Sequence, residues 1–158
     1  LKVIAGLNNF DATSVARVAR AAAAGGADLI DVACDPALVR LVREVAPGLP
    51  ICVSAVEPEL FVEAVAAGAD MVEIGNFDSF YPQGIVFGAD EVLELTRRTR
   101  ALLPQVVLSV TVPHVLPLDQ QEQLAVDLVE AGADLIQTEG GNSAEPFSAS
   151  SARRVCRP

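Results

Sequence analysis

The 158-residue sequence lacks any long apolar run. Stretches such as Val106-Val107-Leu108 and Met71-Val72 fall far short of the ~18–20 residues of a membrane span. Positive charge is scarce: 11 Lys+Arg stand against 21 Asp+Glu, a formal net charge of −10. That balance repels phosphate backbones and anionic lipid, so neither a nucleic-acid partner nor a membrane partner is expected. Cys34, Cys52 and Cys156 do not make a disulfide framework, and a reducing compartment is the default. The sequence has no C-x-x-C and no histidine pair, so no transition-metal centre and no cofactor is assigned. Lysine and histidine each occur once, as Lys2 and His114.

What is present is apolar. Hydrophobic residues make up 51% and mean hydropathy is +0.40, enough to bury one core. One pattern recurs three times, in Ala24-Gly25-Gly26-Ala27-Asp28-Leu29-Ile30-Asp31, Ala67-Gly68-Ala69-Asp70-Met71-Val72-Glu73 and Ala131-Gly132-Ala133-Asp134-Leu135-Ile136-Gln137. An Ala-rich helix runs into a glycine suited to the left-handed conformation, a short Ala-Asp link follows, and a short buried strand begins. Further strands are predicted at 2–6, 51–55 and 106–112. Helices are predicted between them, with Asp11 or Thr13, Asp35-Pro36 and Glu57-Pro58 as start signals and later helices over 89–103 and 118–131.

Strand–helix alternation predicts an α/β chain with a parallel sheet. Two closures satisfy it: an open doubly wound sheet or a (β/α)8 TIM barrel. Asp31, Glu73 and Gln137 share one offset on strands two, four and six, and their apolar neighbours point the other way. Polar groups at one level on alternate strands fit a barrel lumen. Helix packing on an open sheet would bury those carboxylates at a cost. The barrel is therefore the expected fold. A whole barrel needs ~200–250 residues, so the sequence is read as a C-terminally incomplete barrel of about six βα units over 1–147, with an irregular tail over 148–158.

The segments Gly6-Leu7-Asn8-Asn9-Phe10-Asp11, Ile51 to Phe61, Glu73-Ile74-Gly75-Asn76-Phe77-Asp78-Ser79-Phe80-Tyr81, Ser109-Val110-Thr111-Val112-Pro113-His114 and Gln137-Thr138-Glu139-Gly140-Gly141 resemble the hypothetical chloroplast reading frame 23 family. The resemblance runs from Leu1 to about Pro146. It implies an aldolase-type barrel from algal plastids or cyanobacteria, hence a soluble protein of the chloroplast stroma or cyanobacterial cytoplasm, and it carries no settled activity. The segment from Ala67 to Gly75 is also similar to the strand of tryptophan synthase alpha chains and other ribulose-phosphate-binding barrels in which a glutamate does acid–base work; Glu73 matches that glutamate.

Barrel enzymes place their chemistry at the C-terminal ends of the strands. That rule selects Asn8, Asn9 and Asp11, then Cys34 and Asp35, Ser54 and Glu57, Glu73, Asn76 and Asp78, Thr111 and His114, and Gln137 and Glu139. Asp31 and Glu73 are the sharpest pair. Two carboxylates close together cannot both ionise cheaply, so one is driven to hold a proton and can serve as general acid. The alternative is a polar layer satisfied by Gln137, Ser109, Lys2 or water. His114 follows strand five, where a base working near pH 7 is useful, and otherwise is a solvated loop residue. Asn8, Asn9, Ser54, Asn76, Asp78, Gln137 and Glu139 are the candidate substrate-orienting groups. A Mg²⁺ held by Asp31, Glu73 or Glu139 is a lesser alternative.

Lys2 opens strand one, so it is expected at the barrel bottom in an ion pair or in solvent, away from any Schiff-base role. No arginine sits at a strand end, and the loops after strands seven and eight, where such barrels bind phosphate, are not represented. Glu139 to Ser143 offers backbone N–H groups to an anion or forms a flexible turn. Residues 76–88 form a long loop that contains Phe77, Phe80 and Tyr81, either a lid or binding loop, or a staple over the rim or a subunit contact. The expected function is acid–base chemistry on a small phosphorylated metabolite by the full-length protein, with Glu73 as the main group and Asp31 or His114 as partner. The other reading is a non-catalytic ligand-binding or interaction protein. Open strand edges also favour self-association into a homo-oligomer.

Overall fold

The computed structural model describes residues 1–139. Six parallel strands lie in sequence order: β1 (Lys2–Ile4), β2 (Leu29–Ala33), β3 (Ile51–Ala55), β4 (Met71–Ile74), β5 (Val107–Val112) and β6 (Leu135–Thr138). Between them run α1 (Ala12–Ala24), α2 (Pro36–Val45), α3 (Pro58–Ala66), α4 (Ala89–Leu102) and α5 (Leu118–Glu130). The expected tail, the Gly140–Ser143 turn and Cys156 lie outside the described residues.

The helices begin where local chemistry starts them. The Asp11 carboxylate accepts the N–H of Thr13 and Ser14, and Asp35 accepts those of Ala37 and Leu38. Glu57 occupies the same position before α3, but its side chain makes no capping bond; Pro58 at the first helical position does the work there. The repeated glycines take positive φ, 72° at Gly26, 114° at Gly68 and 103° at Gly132, as the turn into each even strand requires.

The register explains the curl of the sheet. Asp31 pairs with Cys52 and Cys52 with Met71, two residues below Glu73. Glu73 pairs with Ser109 and Ser109 with Leu135, two residues below Gln137. Equivalent residues therefore climb by two for each pair of strands. Repeated around eight strands, that stagger gives the shear of the (β/α)8 barrel. Six of its strands and the five helices that connect them lie within the described residues. The outer strand faces, with Ile30, Val32, Ile51, Val53, Val72, Leu108 and Val110, are buried under the helices. The inner faces carry the polar residues.

Candidate functional site

Side chains from six strands and one loop meet in a single hydrogen-bonded layer inside the half-barrel. Asp31 of β2 and Glu73 of β4 are 1% and 0% exposed. Ser54 Oγ donates to Asp31 Oδ1 at 2.6 Å. Ser109 Oγ donates to Glu73 Oε2 at 2.7 Å, and Gln137 Nε2 donates to Glu73 Oε1 at 3.2 Å. Asn76 bridges the two acids, its Nδ2 lying 3.3 Å from Asp31 Oδ2 and 3.5 Å from Glu73 Oε1.

Asn76 is the one non-glycine residue with positive φ, at 58°, among the described residues. Asparagine tolerates this left-handed conformation better than most residues. It turns the chain at the end of β4 so that the amide faces back over the acids. The preceding Gly75 lets the chain pass Thr111: a Cβ there would fall 2.0 Å from Thr111 Oγ1 and 2.7 Å from Thr111 Cβ.

Lys2 departs from expectation. It does form an ion pair, but not at a solvated bottom face. Its Nζ lies 2.6 Å from Glu73 Oε2 and 2.6 Å from Gln137 Oε1, and its side chain is only 19% exposed. Lys2 pairs with Leu29, two residues below Asp31, and shares the inner face with Ile4. The four-carbon stem climbs along that face and delivers the ammonium into the polar layer.

Burial and the neighbouring Glu73 push the Asp31 carboxyl up, from 3.8 to about 6; Ser54, Lys2 and Asn76 pull it back in part. Asp31 is thus the acid whose carboxyl is pushed up, while Glu73 carries the ion pair with Lys2. Cys52 beside them is pushed well above its ordinary value by burial, and burial takes Cys34 to about 12, so neither thiol is available as a thiolate near neutrality.

A second cluster closes the rim. Glu139 Oε1 accepts the N–H of Asp78 at 2.8 Å, and its Oε2 accepts the Tyr81 hydroxyl at 2.8 Å and the N–H of His114 at 3.1 Å. His114 Nδ1 lies 2.6 Å from the same oxygen, and the Tyr81 and His114 rings meet edge to face at 5.2 Å. Phe77 and Phe80 pack on Phe87, with centroids 4.7 and 5.6 Å apart. The 76–88 loop is therefore stapled over the rim by an aromatic cluster and by the Glu139 carboxylate.

The expected site residues thus fall into two networks and a remainder. Asp31, Glu73, Ser54, Asn76 and Gln137 join the lumen layer. Glu139 and His114 join the rim clamp with the backbone of Asp78. Asn9 is spent on its own loop, donating to Ala5 C=O at 3.0 Å and Ser14 Oγ at 3.3 Å, and Asn8 is exposed. The three carboxylates considered for Mg²⁺ are divided between the two networks, and no group of three or more His, Cys, Asp or Glu is placed to hold a metal ion among the described residues. Sequence reasoning named Lys2 among the groups able to satisfy a polar layer but expected it at the barrel bottom; its parity with Ile4 on one strand face was the signal for the lumen. It also missed the Tyr81–Glu139 contact, for which the sequence offered none.

Residues 1–156 match the family described as "Protein of unknown function (DUF561)". The chain belongs to this family. An uncharacterized protein ycf23 from Cyanophora paradoxa is 54% identical over 140 residues, which cover 89% of this chain and 58% of that protein. Its namesake from Pyropia yezoensis is 41% identical over 140 residues, covering 89% of this chain and 51% of the relative. The chain thus spans a little over half the length of these relatives.

Among solved structures, "QR15, an Aldolase" superposes with a TM-score of 0.71 at 21% identity, covering 97% of this chain and 72% of that one. A 2,3-dimethylmalate lyase gives 0.65 at 16% identity, covering 98% and 60%. These likenesses establish an aldolase-type TIM-barrel fold for this member of the DUF561 family. No helix among the described residues is long and apolar enough to cross a membrane.

Proposed function

We propose that the barrel containing this chain acts on a small phosphorylated metabolite by proton transfer in the lumen, with Asp31 as the group that gives and takes the proton. The observation that carries this reading is the buried Asp31–Glu73 pair, in which one acid is matched by an ammonium and the other is driven up to about 6. A carboxyl titrating near there is protonated often enough to act as an acid and is basic enough to accept a proton back. Glu73, named first by the sequence, takes the supporting part: with Lys2, Ser109 and Gln137 it fixes the field around Asp31. Asn76, held in a left-handed turn above both acids, presents an amide where a carbonyl or hydroxyl of the ligand would enter. Lumens of purely structural barrels are filled by Val, Ile and Leu, and a polar layer of this density goes against that preference.

The phosphate would be held elsewhere. Lys2 is committed to Glu73 and Gln137, and the arginines of the described residues lie on helices. The loops after strands seven and eight are where such barrels bind phosphate. Plastid stroma or cyanobacterial cytoplasm is the compartment this reading assigns, given the relatives from Cyanophora paradoxa and Pyropia yezoensis.

The test uses the full-length Cyanophora paradoxa relative with ketose and aldose phosphates in deuterium oxide, followed by NMR. Deuterium wash-in or product formation is expected with at least one compound, falling by at least about 100-fold when the residue matching Asp31 becomes asparagine. Undiminished turnover in that variant would refute the role of Asp31. A ligand that raises the melting temperature without exchange or product would replace catalysis by binding.

A further inference from the structure

The fold sets the one lysine side chain of the sequence among the lumen acids. Lys2 is the single lysine, and the arginines of the described residues all lie on the surrounding helices. An ammonium has three N–H donors. Two are used here, on Glu73 Oε2 at 2.6 Å and Gln137 Oε1 at 2.6 Å. Ser109 Oγ donates to the same Glu73 oxygen at 2.7 Å. The Asn76 amide spans from Glu73 to Asp31, at 3.5 and 3.3 Å. An amine, a carboxylate touching it and a second carboxyl one amide away thus border one space.

A counter-ion role does not by itself account for this arrangement. Taking two charges out of water is costly, and a well-packed apolar pair in their place is often as stable or more so. Arginine would serve as a permanent counter-ion; of the two cations, only lysine gives up a proton and becomes a nucleophile. The Lys2 Cα stands at the foot of β1, which would keep a short side chain away from the acids. Its four-carbon stem removes that obstacle and brings Nζ to their level.

We propose that Lys2 captures the carbonyl carbon of a small phosphorylated aldehyde or ketone as a Schiff base, which names the substrate class of the lumen chemistry and rests on the reading of Asp31 as its proton carrier. Glu73 takes one proton from the ammonium, and the freed lone pair of Nζ forms the N–C bond. Asp31 lends a proton to the carbonyl oxygen and recovers one from the nitrogen. Glu73 then returns its proton to the hydroxyl, the C–O bond breaks and water leaves. Two of the three ammonium protons depart in that water, and nothing is oxidised or reduced. The imine nitrogen keeps one proton and the positive charge, so the ion pair with Glu73 survives the capture. That charge draws electrons from the neighbouring C–H bond, whose proton Asp31 then exchanges.

The test incubates the barrel containing this chain with dihydroxyacetone phosphate or glycolaldehyde phosphate, adds sodium borohydride, and locates adducts by fragmentation mass spectrometry. A secondary amine at Lys2 Nζ is expected. Its rate of formation should saturate in the carbonyl compound and fall by at least about tenfold in Asp31→Asn. Lys2→Arg keeps a cation on Glu73 but forms no imine, so it should lose both the adduct and the deuterium wash-in. On the unmutated protein, borohydride together with the carbonyl compound should abolish later wash-in, whereas borohydride alone should leave it. Absence of an adduct at Lys2 would overturn the Schiff base. So would an adduct that neither saturates nor responds to Asp31→Asn, as expected of any exposed amine. Wash-in that persists in Lys2→Arg would overturn it too, while leaving the role of Asp31 intact. A saturable adduct without wash-in would support the capture by Lys2 and count against the proton transfer.

Discussion

Replacing Asp31 by asparagine should stabilise the protein above pH 6 and leave it unchanged near pH 4. An ordinary aspartate ionises at 3.8, whereas burial and Glu73 raise Asp31 to about 6 in the folded chain. Between those values the folded chain keeps a proton that the unfolded chain has already lost. Stability contributed by this group is therefore lost as pH rises through that interval, the reverse of a salt-bridged carboxylate. A shift of roughly two pH units corresponds to about 3 kcal/mol at neutral pH. Asparagine removes the charge and keeps an oxygen to accept the Ser54 hydroxyl. At about 2–4 °C per kcal/mol for a domain of this size, the variant should melt about 6–12 °C higher at pH 8. The assay is thermal melting of both proteins from pH 4 to 8, read as the difference between them, which cancels carboxylates shifted the other way, such as Asp134. A difference that stays flat across that range, or reverses sign, would refute the reasoning.

Three further outcomes follow from the same geometry. Lys2→Met strands the Glu73 charge in a buried layer and should cost about 3–5 kcal/mol in urea denaturation, with much of it recovered in the double variant that adds Glu73→Gln. Gly75→Ala places a methyl group within 2.0 Å of Thr111 Oγ1 and should cost about 3 kcal/mol; adding Thr111→Ala restores only part of that, because Thr111 Cβ is also too close at 2.7 Å. Glu139→Gln weakens the clamp on Tyr81, His114 and the backbone of Asp78, so hydrogen exchange of amides in 76–88 should quicken by about tenfold while global unfolding changes little.

The fold was legible because short-range chemistry repeats in it. Ala-Gly-Ala-Asp announces a helix end and a strand start, and the shared offset of Asp31, Glu73 and Gln137 announces a lumen. The polar layer itself was legible too, down to Ser109, Gln137 and Lys2 as the groups able to satisfy it. The role of aspartate within each repeat was not. Asp70 and Asp134 act through arginines 27 and 34 residues away, at separations that differ with the intervening loops, so no fixed spacing reveals them. Lys2 was misplaced because strand position locates a Cα, whereas a lysine stem carries its charge to another level. Which of two facing acids pairs with the single lysine was also beyond the sequence, and here that is Glu73.

The most direct measurement is the titration of the Asp31 carboxyl by ¹³C NMR, with its resonance assigned by loss in Asp31→Asn. A midpoint near 6 is expected, moving downward in Glu73→Gln as the neighbouring charge is removed. A midpoint near 3.8, unmoved by Glu73→Gln, would contradict a lumen built to hold a proton on Asp31.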